Sequence, residues 1–347
     1  DRPYNIKTST SKYFRITGGD TEGYYGINLR GSISDGIVLT DLSSDFEVDH
    51  LEIHHVGFAG MMAKTDPTCD DATIRGNYTM RNVLLHDNFI HDTAGEGFYL
   101  GSSSYGGTEV DGCGTRLPHT IENISVYNNH VLRSGWDGIQ LSCATVGAAI
   151  YGNVVENYGV KDEPSQQNGI LMGGGTGGVC YGNLINGGTG VGICTFGLGD
   201  NVFHDNIVIN AGDKGFFCDE RGTPTGDGFK YINNTVINPK DIGIAIYSET
   251  LPNNVCINNI IVKANGSDDK SYITTLHNAP TVKSNNFTTT KIGDLLFLNA
   301  KGINYRLKTG SPIIDQGTDI SSYNIGLDFY KSKRKNGTAY DIGASEF

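Results

Sequence analysis

No apolar run in the 347-residue chain is long enough to cross a bilayer as a helix, which excludes a membrane span. A leader with a basic start and an apolar core is also missing. The chain begins at Asp1-Arg2-Pro3, as a mature or trimmed product would. Charged residues make up only 18% and hydrophobic residues 37%, so a charge-rich disordered polymer is excluded. Proline is scarce at nine positions, and the 48 glycines follow no Gly-X-Y period, which rules out collagen. Cys-x-x-Cys pairs and the His-rich spacings of zinc sites are absent. Positive charge is in deficit as well. A net charge of −12 argues against a nucleic-acid partner, although a local basic site remains compatible with an anionic sugar polymer.

What is present is a repeat. Asn88, Asn129, Asn153, Asn183, Asn206, Asn234, Asn259 and Asn286 recur at gaps of 23 to 41 residues. Gly60, Gly97, Gly138, Gly169, Gly192, Gly215 and Gly243 form a second column, each followed by an apolar residue. The columns keep phase: Asn88 to Gly97, Asn129 to Gly138 and Asn183 to Gly192 each span nine residues. Alternation of period two within each unit indicates strands, and no helical period competes. The expectation is all-β: a right-handed parallel β-helix, a single solenoid of three-strand coils over residues 1–347, with 303–347 closing it. A buried Asn at each turn can bond the backbone and side chains of neighbouring coils. The Gly column is expected to relieve backbone conformation at the next corner.

The units His86–Leu100 (HDNFIHDTAGEGFYL) and Tyr127–Leu141 (YNNHVLRSGWDGIQL) resemble repeats of the pectate-lyase-like β-helix superfamily. The ends Leu307–Gly317 (LKTGSPIIDQG) and Asp341–Phe347 (DIGASEF) resemble the closing segment of bacterial secreted β-helix proteins. The resemblance implies a secreted protein, extracellular, periplasmic or on the cell surface, acting as a monomer on a polysaccharide. It leaves the reaction open, because the superfamily includes lyases, hydrolases, epimerases and phage adhesins.

Solenoids expose one long shallow face suited to a linear polymer. Strand alternation points three sets of residues around the Gly column outward, with Gly26–Arg30 taken as an early member of that column. Polar groups concentrate in the early coils, and two long loops, Thr65–Asn82 and Ser102–Thr120, leave beside them. The candidate catalytic residues are Arg30, Lys64, Glu96, Tyr99 and Asp137. Trp136, Gln140, Ser142 and Asn168 are the candidates for holding sugar. The leading expectation is a lyase acting on a uronic-acid-containing polymer, with glycoside hydrolysis as the alternative: in the elimination, Lys64 and Arg30 would meet the carboxylate and Tyr99 would return a proton. In hydrolysis, Glu96 and Asp137, one coil apart, would act as paired carboxyls. A noncatalytic carbohydrate-binding or adhesin solenoid is the rival from another class.

Other patterns carry further expectations. Asp66, Asp70, Asp71 and Asp111 crowd the loops, an oxygen-rich set of the kind that holds calcium. Cys69 and Cys113 sit in loops leaving consecutive coils at one edge and are expected to pair. Cys180, Cys194, Cys218 and Cys256 lie in apolar strands and are expected as free buried thiols. Tyr127, Tyr151 and Tyr181, flanked by His86 and His204, are expected to stack as a stiffening ladder. His54 and His91 align in another outward column beside His55 and Asp92, one ligand short of a zinc site.

Overall fold

The computed structural model describes residues 2–222, 224–263 and 272–347. Three long parallel sheets wrap one core. The first begins with Tyr4–Ser9, Asp35–Thr40, Met61–Ala63, Phe98–Leu100 and Ile139–Leu141 and ends with Ile273–Thr275. The second runs from Lys12–Thr17 to Thr281–Ser284, and the third from Ile27–Arg30 to Phe287–Thr289. The chain visits the sheets in rotation, so neighbouring strands in a sheet belong to successive coils. This is the expected parallel β-helix. Its strands are mostly three to six residues long because the corner signals recur so closely.

The core follows from the inward half of each strand. Ile37, Met61, Phe98, Ile139, Ile170, Ile193 and Phe216 pair in register along the first sheet, and each is at most 1% exposed. Burying such a side chain stabilises by roughly 1.5–3 kcal/mol. At the corner between the second and third sheets, the Asn ladder forms as expected. Asn129 donates its backbone N–H and side-chain Nδ2 to Asn153 Oδ1, both at 3.0 Å. The same pair of bonds links Asn88 to Asn129, Asn153 to Asn183, Asn183 to Asn206, and onward to Asn286.

The corner's sharpness comes from the residue before each Asn, which the sequence reading missed. Asp87, Asn128, Asp205, Asn233 and Asn258 all have φ between 53° and 55°. Short polar side chains tolerate that left-handed region best among non-glycine residues. The Gly column has a different cause from the expected one, for none of its members has a positive φ. A Cβ on Gly138 would stand 2.4 Å from Val155 Cγ1 and 2.5 Å from the Gly169 carbonyl oxygen. Close approach of stacked coils, not backbone freedom, requires glycine there.

The end of the chain, residues 303–347, runs along the side of the solenoid. Asn233 Nδ2 donates to the carbonyls of Asp341 and Gly343, Asn258 Nδ2 to Thr318, and Asn285 Nδ2 to Gln316. Arg334, 1% exposed at its side chain, is held between the Asp205 and Glu346 carboxylates. Successive corner residues thus reach outward to one strap.

Candidate functional site

The outer face of the first sheet holds most of the expected site residues. Tyr99 and Gln140 pair in register, with Lys64 following Ala63 one coil earlier. Glu96 and Asp137 each precede a column glycine in these same coils. Lys64 Nζ lies 4.7 Å from the centre of the Tyr99 ring and 2.9 Å from Asp66 Oδ1. Burial works against the Lys64 charge, but Tyr99 and Asp66 outweigh it and hold the ammonium above its ordinary pKa. At neutral pH it is a cation, not a base.

Arg30 is not part of this group. Its strand belongs to the third sheet, where Arg30 pairs with His54. Gly26 sits at the corner before that strand, and the glycine of the first-sheet column in this coil is Gly36. Thr40 is the residue in register beside Lys64. The basic pair expected for an elimination is therefore absent. The corrected phase brings in a residue not anticipated: Asp35, before Gly36, shares the column of Glu96 and Asp137. The nine-residue phase from Ile27 to Gly36 was the signal available for it.

Glu96, Asp137, Gln140, Ser142 and Asn168 occupy outward positions, yet they are between 0 and 8% exposed. Two features lie over this face. Phe58 packs edge-on to Tyr99 and Trp136 with ring centres 5.9 and 5.4 Å apart. The loop after residue 102 folds back, so that Ser103 Oγ meets Tyr99 Oη at 3.1 Å and accepts from Gln140 Nε2 at 2.9 Å. Lys64, Phe58, Tyr99 and Trp136 remain half-buried and form the outer surface of the site. Asn168 holds Asp137 rather than facing solvent, donating its N–H at 2.6 Å and Nδ2 at 2.9 Å to Asp137 Oδ1. Ser142 donates its backbone N–H to the Leu100 carbonyl and is 1% exposed.

The electrostatics of the floor are unusual. Burial pushes the Glu96 carboxyl up to about 8, with Asp137 and Asp35 adding to the effect and Lys64 opposing it. Burial likewise pushes Asp137 up to about 7 against the two Asn168 donors. Asp35 is raised by the same cause. Glu96 Oε2 and Asp137 Oδ2 are both buried without a hydrogen-bond partner. Unpaired buried polar atoms are rare in folded proteins and call for an explanation.

The loops behave partly as expected. Cys69 and Cys113 form a disulfide with Cα atoms 5.6 Å apart. Cys180, Cys194, Cys218 and Cys256 are free and buried, as is Cys143. The calcium set does not assemble. Lys64 engages Asp66, the Ala72 amide engages Asp70 Oδ1, and Arg116 engages Asp71. Among the described residues, the clusters of three or more metal-ligating groups lie elsewhere and include none of Asp66, Asp70, Asp71 or Asp111. A shallow cleft of about 690 Å³ lies at the corner of the second and third sheets, lined by Asp20, Tyr25, His50, Asp87 and His130. It contains no member of the Lys64–Asp137 group. The aromatic ladder stacks as expected, with ring centres 4.5 to 4.9 Å apart from His86 through Tyr127, Tyr151 and Tyr181 to His204.

No helix among the described residues is long and apolar enough to cross a membrane. No curated protein matches the sequence. The solved structure described as pectate lyase Pel9A is similar over 99% of this chain and 86% of its own, with TM-score 0.57 and 15% identity. The structure described as the complex of XylC with xylose covers 87% of this chain and 66% of its own at 13% identity, with a TM-score of 0.38 that supports no inference. The family model of the right handed beta helix region matches residues 119–307, more than half of the sequence. Stacked parallel coils, the Asn ladder and this match agree: the chain belongs to the right-handed β-helix family.

Proposed function

We propose that this protein is a secreted polysaccharide-degrading enzyme that works through the Glu96–Asp137 carboxyl pair. The observation that carries the reading is the pair itself: two buried carboxyls in adjacent coils, raised to about 8 and about 7, each with one unpartnered oxygen. Adjacent coils stand ~4.8 Å apart, close to the separation of ~5–5.5 Å used by retaining glycosidases. Glu96, neutral at pH 7, is suited to protonate a glycosidic oxygen. Asp137, the lower of the two, is suited to act as nucleophile or charge stabiliser. Tyr99 and Trp136 offer apolar ring faces of the kind on which sugar rings stack. The pectate-lyase likeness concerns the fold, and the class of substrate proposed here is in keeping with it.

Elimination from a uronic-acid polymer is the second reading, favoured by the Lys64 ammonium held 4.7 Å from the Tyr99 ring centre. Incubation with a panel of plant, algal and animal polysaccharides separates the two. New reducing ends without ultraviolet absorbance indicate hydrolysis; an absorbing unsaturated product indicates elimination. Glu96→Gln and Asp137→Asn should each lower hydrolysis by at least about 100-fold, as loss of a positioned acid or base does. Full activity in both folded variants would overturn the assignment. Binding without either product would place the chain among noncatalytic sugar-binding solenoids.

A further inference from the structure

The third sheet carries a second cluster that the carboxyl site does not use. His54 and His91 face each other in register on neighbouring strands, their rings stacked with centres 4.7 Å apart and planes 6° from parallel. His55 follows His54 with φ 52°, a left-handed corner that turns its ring back across the pair at 82° to His54 and 85° to His91. The third ligand missing from the linear pattern is thus supplied by the backbone turn. One nitrogen from each of the three rings lies within 4.8 Å of the others.

The groups around the rings point the same way. His91 Nδ1 stands 2.7 Å from Asp92 Oδ2, a carboxylate oxygen that can only accept from it. His91 Nε2 lies 3.2 Å from a second carboxylate oxygen, Glu52 Oε1. His54 Nδ1 and His55 Nδ1 face each other at 2.7 Å, where one proton at most can sit. A carboxylate behind an imidazole is also the arrangement that orients metal-bound histidines. The other candidate cluster, Glu47, Asp49 and His86, differs in one respect. Arg15 already lies 3.0 Å from Glu47 and 2.7 Å from Asp49. Around His54, His55 and His91, the nearest cations are otherwise placed: Arg133 is paired to Asp92, and Arg30 stands exposed on the neighbouring strand.

We propose that His54, His55 and His91 form a binding site for a divalent transition metal ion of the zinc class, with Asp92 orienting His91 and Glu52 beside the fourth position. Zinc–nitrogen bonds of about 2.0–2.1 Å in a tetrahedral array require the stacked His54 and His91 rings to tilt toward a shared point and His54 and His55 to part. The site is separate from the carboxyl pair, so its test does not depend on the enzymatic reading.

Equilibrium dialysis of the intact protein against zinc(II), and cobalt(II) absorption as the geometric probe, test this directly. One equivalent of zinc per chain is expected, together with the intense visible bands of four-coordinate cobalt. His54→Ala and His91→Ala should weaken binding by at least about 100-fold, and Asp92→Asn by roughly 10- to 100-fold. His55→Asn removes a ligand while suiting the left-handed backbone, so it keeps the test clear of folding defects. Stoichiometric binding that survives all three histidine substitutions would overturn the proposal. So would a weak six-coordinate cobalt spectrum in the unaltered protein.

Discussion

Replacing Glu96 by Gln keeps nearly the shape of a protonated carboxyl but removes its ability to lose a proton. The folded-state value of about 8 lies above the ordinary carboxylate value, so between roughly pH 4.5 and 8 the folded chain holds a proton that the unfolded chain has released. Stability should therefore fall as pH rises through that window, by up to about 1.4 kcal/mol per pH unit for this group. Asp137 adds a similar decline between roughly pH 4 and 7. Urea midpoints measured at pH 5 and pH 8 should show a smaller difference in Glu96→Gln than in the parent. Equal differences would mean that Glu96 is not buried as a neutral acid. The ladder offers a second residue-level test. Asn183→Ala leaves the Asn153 backbone N–H and the Ile150 carbonyl without the side chain they use, which should cost on the order of 1–3 kcal/mol in denaturant unfolding.

At the scale of a strand and its corners, the repeat was readable because every coil solves the same packing problem at the same positions. Asn and Gly recur nine residues apart, except from Asn153 to Gly169, since one satisfies a buried corner and the other lets coils approach. Gly138→Ala tests which property matters. A methyl group 2.5 Å from the Gly169 carbonyl forces the coils apart and should cost about 1–3 kcal/mol, although φ is ordinary for any residue. A loss below a few tenths of a kcal/mol in thermal unfolding would contradict close approach as the cause. The site was less readable. Arg30 was misplaced because Gly26-Ile27-Asn28-Leu29 imitates the start of a first-sheet strand, while its phase belongs to the third sheet. The burial of Glu96 and Asp137 could not be seen from alternation. Alternation reports the side of a sheet, not what lies over it.

Across the whole molecule, the stacking of coils leaves its two ends as the places where order can be lost first. The C-terminal strap addresses one of them. Its anchor is Arg334, buried between Asp205 and Glu346, and removing one member of such a group leaves uncompensated charge inside. Arg334→Ala should cost about 3–5 kcal/mol, read as a lower denaturation midpoint. A change under 1 kcal/mol would show that the strap is not held by this group.

The same strap changes how the solenoid would come apart. Side chains of Asp205, Asn233, Asn258 and Asn285 reach it from four consecutive coils. In a plain stack each terminal coil can peel away alone, and amide exchange would slow gradually from the end inward. With one tether knotted to four rungs, the last coil has no independent way to leave. Exchange over the described residues of roughly 205–285 should then proceed as one block with a shared opening rate, and a graded profile should appear only when Arg334 is replaced.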